Sequence, residues 1–175
     1  MTLITPRLTL LPAQFPILNA AVRKDWAALS NLLGGVDFAE HWNHFPEALA
    51  WMRDHLRDHP EEIQWWSYFI IHQPDARLIG TCGYKGYPDP DGWVEIGYEI
   101  ADAYQGQGLA TEAAGALVRN AWTQNGVRGV RAHTLAEDNA SGSVLRKVGF
   151  VFAGEKIDLE DGRIWEYCLE RPSDQ

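Results

Sequence analysis

The sequence predicts an α+β fold in which one mixed β-sheet of about seven strands is flanked by helices. Three observations carry that expectation. Between residues 65 and 100, strand-like runs are separated by the turn signals "QPDA" and "YPDPDG", the pattern of an antiparallel meander. The stretch from Leu109 to Trp122 then repeats small and apolar residues at helical spacing, between two further strands. Strands joined through one helix lie parallel in the same sheet, so the sheet is mixed.

In chain order, "RLTLL" (Arg7 to Leu11) alternates as a first strand does. "ILNAAVRKDWAALSNLL" (Ile17 to Leu33) reads as two short helices parted near Arg23 and Lys24, with Gly34 and Gly35 ending them. A helix from Glu47 to His59 stops before Pro60, which cannot continue it. "WWSYFIIH" (Trp65 to His72), "RLIGTCGYKG" (Arg77 to Gly86) and "WVEIGYEI" (Trp93 to Ile100) form the meander. Ala110, Ala113, Ala114, Leu117, Val118 and Ala121 share one face of the next helix, which must be buried. "VRAHTLA" (Val130 to Ala136) is a strand and "ASGSVLRKV" (Ala140 to Val148) a short helix closed by Gly149. The rest reads as a hairpin about Asp161 and Gly162.

No repeat, low-complexity tract or long linker divides the 175 residues, so residues 1–175 read as a single domain able to bury a core without disulfides or metal. The net charge of −9 argues against nucleic acid as a partner, because a phosphate backbone needs a basic surface; it suits a cationic substrate. No apolar run approaches the roughly 18 residues that cross a bilayer. "MTLITPRLTL" lacks the basic and apolar regions of a signal peptide, so no membrane partner and a cytoplasmic location are expected. Cys82 and Cys168 sit in strand-like segments and read as small buried thiols rather than a disulfide or a nucleophile.

"YQGQGLATEA" (Tyr104 to Ala113) places two glycines two apart immediately before a helix. Glycine is kept where the backbone bends sharply or approaches something closely. The stretch is either a loop that caps a helix or a nest of N–H groups at a helix N-terminus, suited to phosphate. A Walker loop would need Gly-Lys-Ser/Thr, but Gly108 precedes Leu109 and Ala110. A dinucleotide fingerprint would need a third small residue, where Thr111 stands, and a carboxylate that "NGVRGVR" does not supply. The pattern that remains is Gln-x-x-Gly-x-Ala, at Gln105, Gly108 and Ala110.

That pattern resembles the acetyl-CoA pyrophosphate loop of the GNAT acetyltransferase superfamily, written Gln/Arg-x-x-Gly-x-Gly/Ala. The wider string "VEIGYEIADAYQGQGLATEA" is similar to the RimJ/RimL-like branch, which includes the ribosomal-protein N-terminal acetyltransferases. "TPRLTLLP" (Thr5 to Pro12) resembles that branch's opening strand, and "AEDNASGSVLRKVGF" (Ala136 to Phe150) the segment whose helix packs beside the pantetheine arm. The resemblance implies the GNAT fold with its strongly twisted sheet, acetyl-CoA as co-substrate and no metal. It implies N-acetyl transfer to a primary amine of a protein N-terminus or a small molecule; the sequence leaves open whether the chain is a monomer or a homodimer. The alternative is a non-catalytic acyl-CoA-binding protein on the same scaffold.

The resemblance further implies that backbone amides of Gln105, Gly106, Gln107, Gly108, Leu109, Ala110 and Thr111 hold the pyrophosphate. Tyr98, Ile100 and Ala101, on a strand splayed from its parallel neighbour, would bond the pantetheine. Counting back from "VLRKVGF", Ser141 falls at the family's serine position. The asparagine expected three residues earlier is Asp138, with Asn139 one place late. Either the loop shifts so that Asn139 serves the cofactor, or an acidic side chain sits near it.

Acyl transfer from a thioester to an amine asks for a neutral amine, a stabilised oxyanion and a proton for the departing thiolate. A lysine-like amine with a pKa of about 10.4 needs a base more than an α-amine near 8. Glu95 and Glu99, four apart on a strand, point to the same face and are both candidate bases, or carboxylates bonded to their neighbours. For the proton donor, the resemblance points to Ser141, with Ser143 second. A thiol near pKa 8.5 leaves readily, so Ser141 can simply orient the sulfur or cap its helix. His55 and His59 in "HLRDH" lack a zinc protease's glutamate and read as a solvated face, and His41 and His44 lack a third ligand. Trp42, Phe45 and Trp51 belong to the core or line an acceptor pocket, and "DPDG" (Asp89 to Gly92) is a turn.

Overall fold

Two strands are too short for alternation to reveal: β1 (Leu3–Ile4) and β3 (Asp37–Phe38) span two residues each. They raise the sheet from the expected seven strands to nine in the computed structural model, which describes residues 1–172. The other strands are β2 (Leu8–Pro12), β4 (Ser67–His72), β5 (Arg77–Tyr84), β6 (Trp93–Ile100), β7 (Gly129–Leu135), β8 (Val151–Asp158) and β9 (Gly162–Glu170). Their order is β1-β2-β4-β5-β6-β7-β9-β8, with β3 beside β5. β6 and β7 run parallel, as the intervening helix requires, and β4, β5 and β6 form the expected meander.

The long N-terminal helical run divides into α1 (Phe15–Val22) and α2 (Trp26–Leu32). Lys24 between them adopts a left-handed φ of 55°, and Asp25 caps α2 by accepting the Ala28 N–H at 3.1 Å. α3 (Pro46–Asp58) begins with proline in its first turn, where no N–H is needed. A 3-10 turn at Pro60–Trp65 then absorbs the tryptophan expected to open β4. α4 (Leu109–Trp122) and α5 (Ala140–Val148) have the bounds their periodicity predicts.

α4 packs against β6 through Ala113, Ala114, Leu117 and Ala121, all fully buried, and such short side chains allow helix and sheet to approach closely. The Tyr84 hydroxyl donates to the Leu117 carbonyl at 2.7 Å and accepts from Asn120 Nδ2 at 2.9 Å. This buried link ties α4 to β5 and leaves no polar atom unsatisfied there.

The β6–β7 ladder is short. It pairs Trp93 with Gly129, Val94 with Val130 and Glu95 with Arg131, and then ends. β6 continues to Ile100 against β5, and β7 continues to Leu135 against β9. The two parallel strands therefore diverge after Glu95, and residues 96–100 keep one edge unpaired. The site lies in that gap.

Candidate active site

At the top of the gap the chain makes a 3-10 turn (Asp102–Tyr104) and enters the glycine loop. Gly106 and Gly108 have φ values of 73° and 77°, a left-handed conformation costly for any residue with a Cβ. Gly108 is the N-cap of α4 and offers no side chain to its free N–H groups. Among the described residues, the N–H groups from Gly106 to Thr111 have no protein acceptor; the first to turn inward is that of Glu112, onto the Gly108 carbonyl at 3.0 Å. Six unpaired donors at the positive end of a helix form an anion cradle.

Two backbone donors expected in the site are engaged elsewhere. The Gln105 N–H donates to the Asp102 carbonyl at 3.2 Å, closing the 3-10 turn. The Ala101 N–H donates to the Ile79 carbonyl at 2.7 Å, and Ala101 is fully buried. The Gln105 side chain braces the loop instead, with Nε2 donating to the Ile100 carbonyl at 2.9 Å and to Asp102 Oδ1 at 3.1 Å.

A cavity of about 350 Å³ is lined by Gln105, Gly106, Gly108, Leu109, Ala110 and Thr111 from the loop and α4, by Ile100 from β6, and by Ser143, Val144 and Lys147 from α5. A second cavity of about 480 Å³ is lined by Phe45, Trp51, Met52 and Trp66 on one side and by Lys85, Gly97 and His133 on the other. Tyr98, Glu99 and Ser141 line both cavities. Three of the residues singled out by sequence thus stand where the two spaces meet.

The two glutamates of β6 have different environments. Glu99 Oε1 accepts the hydroxyl of Thr81, its cross-strand partner, at 2.8 Å. Glu99 Oε2 accepts the His44 N–H at 2.8 Å and lies 3.1 Å from His44 Nδ1. Glu95 lies 2.6 Å from Lys85 Nζ and 3.1 Å from His133 Nδ1. Burial alone would raise the Glu95 pKa, but the hydrogen bonds from His133 and Lys85 outweigh it and bring the carboxyl down to about 2. Glu95 is therefore a poor proton acceptor at neutral pH. His133 Nε2 meets Glu166 at 3.1 Å, and with a carboxylate at each ring nitrogen its pKa is raised, chiefly by the bond to Glu95. His133 is an imidazolium that ties β6, β7 and β9 together.

The Tyr98 hydroxyl donates to the Ser141 carbonyl at 3.0 Å and lies 3.1 Å from Ser141 Oγ. Burial pushes the Tyr98 phenol up to about 12, against the pull of the Ser141 bond, so it stays protonated. Ser141 is not a helix cap. Asn139 is, accepting the Gly142 N–H at 2.9 Å, and its side chain is used there rather than in the cavity. Asp138 is exposed and bonds Arg146 at 2.8 Å, so neither residue faces the cavity in this geometry.

Other expectations divide. Trp42 is core, packed on Phe69 with ring centroids 5.7 Å apart, whereas Phe45 and Trp51 are more than half exposed and line the second cavity. His55 does not sit on a solvated face: it stacks on Trp51 at 5.0 Å and meets Glu62 at 2.7 Å, because the 3-10 turn folds Glu62 back onto α3. Cys82 is buried and Cys168 partly so, and both are free thiols. Thr81, Lys85 and His133 were not singled out by sequence, and His44 was weighed only as a metal ligand. Only the strand pairing that sets Thr81 opposite Glu99 carries a signal for any of them.

Among known families, the acetyltransferase (GNAT) domain matches residues 17–151. The chain belongs to the GNAT acetyltransferase family. This GNAT chain is 28% identical over 168 residues to the uncharacterized N-acetyltransferase YjdG of Bacillus subtilis (strain 168), covering 95% of itself and 97% of that protein. The structure of RimL, a ribosomal-protein α-N-acetyltransferase in complex with coenzyme A, superposes with a TM-score of 0.69 at 18% identity, over 97% of this chain and 98% of RimL. An acetyl transferase of Salmonella typhimurium that modifies the N-terminal serine of a 50S ribosomal subunit protein gives a TM-score of 0.67 at 19% identity, over 98% and 100% of the two chains. The GNAT fold thus extends over nearly the whole chain, and RimL and another ribosomal-protein acetyltransferase are among its structural neighbours. No helix among the described residues is long and apolar enough to cross a membrane.

Proposed function

We propose that this chain transfers an acetyl group from acetyl-CoA to a primary amine, with Glu99 accepting the amine's proton. One observation carries the reading: Glu99, Tyr98 and Ser141 line both the cavity under the glycine loop and the aromatic-walled cavity beside it. A carboxylate and two hydroxyls at such a junction suit a reaction between molecules held on either side.

The fit to acetyl-CoA is good. The six free N–H groups suit a diphosphate, Lys147 adds a cation at the cavity wall, and the unpaired edge of residues 96–100 suits the amides of a pantetheine arm. Acetyl-CoA supplies the activated acyl group. Glu99 is held in place by Thr81 and His44, so its carboxylate needs no reorientation to meet an amine in the second cavity. The hydroxyls of Tyr98 and Ser141, 3.1 Å apart, would serve the departing thiolate. Phe45 and Trp51 give the acceptor an apolar wall, and Glu99, with the acidic balance of the chain, favours an amine that arrives as a cation.

The test is to incubate the protein with acetyl-CoA and a panel of primary amines, including peptide N-termini and cationic small molecules, and to follow free thiol. Amine-dependent thiol release that falls with Glu99→Gln supports the reading. Binding of CoA without release on any amine would assign the chain to acyl-CoA-binding proteins instead.

A further inference from the structure

Thr5 and Arg7 lie outside the 17–151 span that matches the family domain, yet they hold the glycine loop from behind. Arg7 Nη1 donates to the Gln107 carbonyl at 2.9 Å, and Arg7 Nε donates to Glu112 Oε2 at 2.7 Å. The other oxygen of Glu112 accepts the Thr5 hydroxyl at 2.6 Å and the Arg7 backbone N–H at 2.8 Å. The guanidinium lies against the loop itself, with Nη2 3.6 Å from where a Cβ on Gly108 would stand.

We infer that Arg7 is a positioning residue for acetyl-CoA, acting through the peptide between Gln107 and Gly108. A trans peptide is planar, with its carbonyl and N–H pointing in opposite directions. Anchoring the Gln107 carbonyl on the guanidinium therefore sends the Gly108 N–H the other way, into the cradle. Flipping this peptide rotates about ψ of Gln107 and φ of Gly108, and a glycine at 108, with φ of 77°, gives it little resistance. A flipped peptide would present a carbonyl oxygen to the diphosphate. Arg7 also neutralises Glu112, a carboxylate in the first turn of α4 that would otherwise repel a diphosphate there. A planar fork of donors does both tasks at once, which a lysine ammonium cannot.

The inference rests on the reading of the loop as the acetyl-CoA diphosphate site, and the test separates the two. Wild type, Arg7→Met and Arg7→Lys are titrated with CoA by calorimetry. They are then assayed with acetyl-CoA and with S-acetylpantetheine, which keeps the thioester and arm but lacks the diphosphate. Arg7→Met is expected to raise the Kd of CoA and the KM of acetyl-CoA by about 10- to 100-fold, the weight of one charge-assisted hydrogen bond, with little change in kcat. Its kcat/KM on S-acetylpantetheine stays at the wild-type value, and Arg7→Lys recovers only part of the loss. Equal losses on both thioesters, or an unchanged Kd in a folded variant, overturn the inference. Should Arg7→Met fail to fold, Arg7→Lys, which keeps the charge, carries the same comparison. A wild-type protein that binds no CoA overturns both the loop reading and this inference, whereas wild-type binding with unaffected variants overturns the inference alone.

Discussion

Glu99 Oε2 accepts the backbone N–H of His44 at 2.8 Å and lies 3.1 Å from Nδ1 of the same residue, so the loop before α3 grips one oxygen of the carboxylate at the junction of the two cavities. Thr81 holds the other oxygen. Glu95, by contrast, is paired with Lys85 and His133.

Glu99→Gln is therefore expected to lower kcat by roughly 10² while leaving the Kd of CoA nearly unchanged. Glu95→Gln should keep most of the rate, because a carboxyl held at about 2 takes no proton at neutral pH. Rates measured across pH 6 to 9 at saturating acetyl-CoA decide the matter. A full rate in Glu99→Gln would show that the reaction proceeds on amines that are already neutral.

Stability should depend on pH through the Lys85–Glu95–His133–Glu166 chain. Glu95 has a folded pKa of about 2 against an ordinary 4.5, so its stabilisation is complete above 4.5 and is lost as pH falls toward 2. His133 has a raised pKa, so its stabilisation is complete below the ordinary 6.5 and is lost as pH rises through the higher folded value. The two together predict a plateau in melting temperature between these ordinary values, with a decline on each side. His133→Asn should remove the alkaline decline, and a wild-type curve flat up to pH 9 would contradict the assignment of His133 as an imidazolium.

Replacing Gly108 with alanine or valine should weaken CoA binding by about tenfold or more, judged by calorimetry, since a left-handed φ costs an L-residue roughly 1–2 kcal/mol. The cost is not one of crowding in the free protein: a Cβ there meets only Arg7 Nη2, at an ordinary 3.6 Å. The loop would relax away from φ 77° and turn its N–H groups out of the cradle.

Tyr98→Phe keeps the ring buried and removes the hydroxyl 3.1 Å from Ser141 Oγ. It is expected to lower kcat by about tenfold, with Ser141→Ala similar and the double variant little worse than either, because neighbouring groups that act as a unit are not additive. Fully additive losses would separate the roles of the two hydroxyls.

Much of the frame was legible before any coordinates. α4, α5 and β6 have the bounds that their periodicity and glycine signals indicate, and the parallel β6–β7 pair follows from the helix between them. These are local properties, set by side-chain spacing of 3.6 or 2 and by the conformations open to Gly108 and Gly149. Only the tertiary structure decided which N–H groups remain free, since those of Gln105 and Ala101 are taken by carbonyls of the turn and of β5. It also decided that Glu99, not Glu95, faces both cavities. Two glutamates on one face of a strand are equivalent by spacing. They become different when His44, 55 residues away, bonds to one, and Lys85 and His133 to the other. Partners so far apart in sequence are chosen by packing, and no local period records that choice.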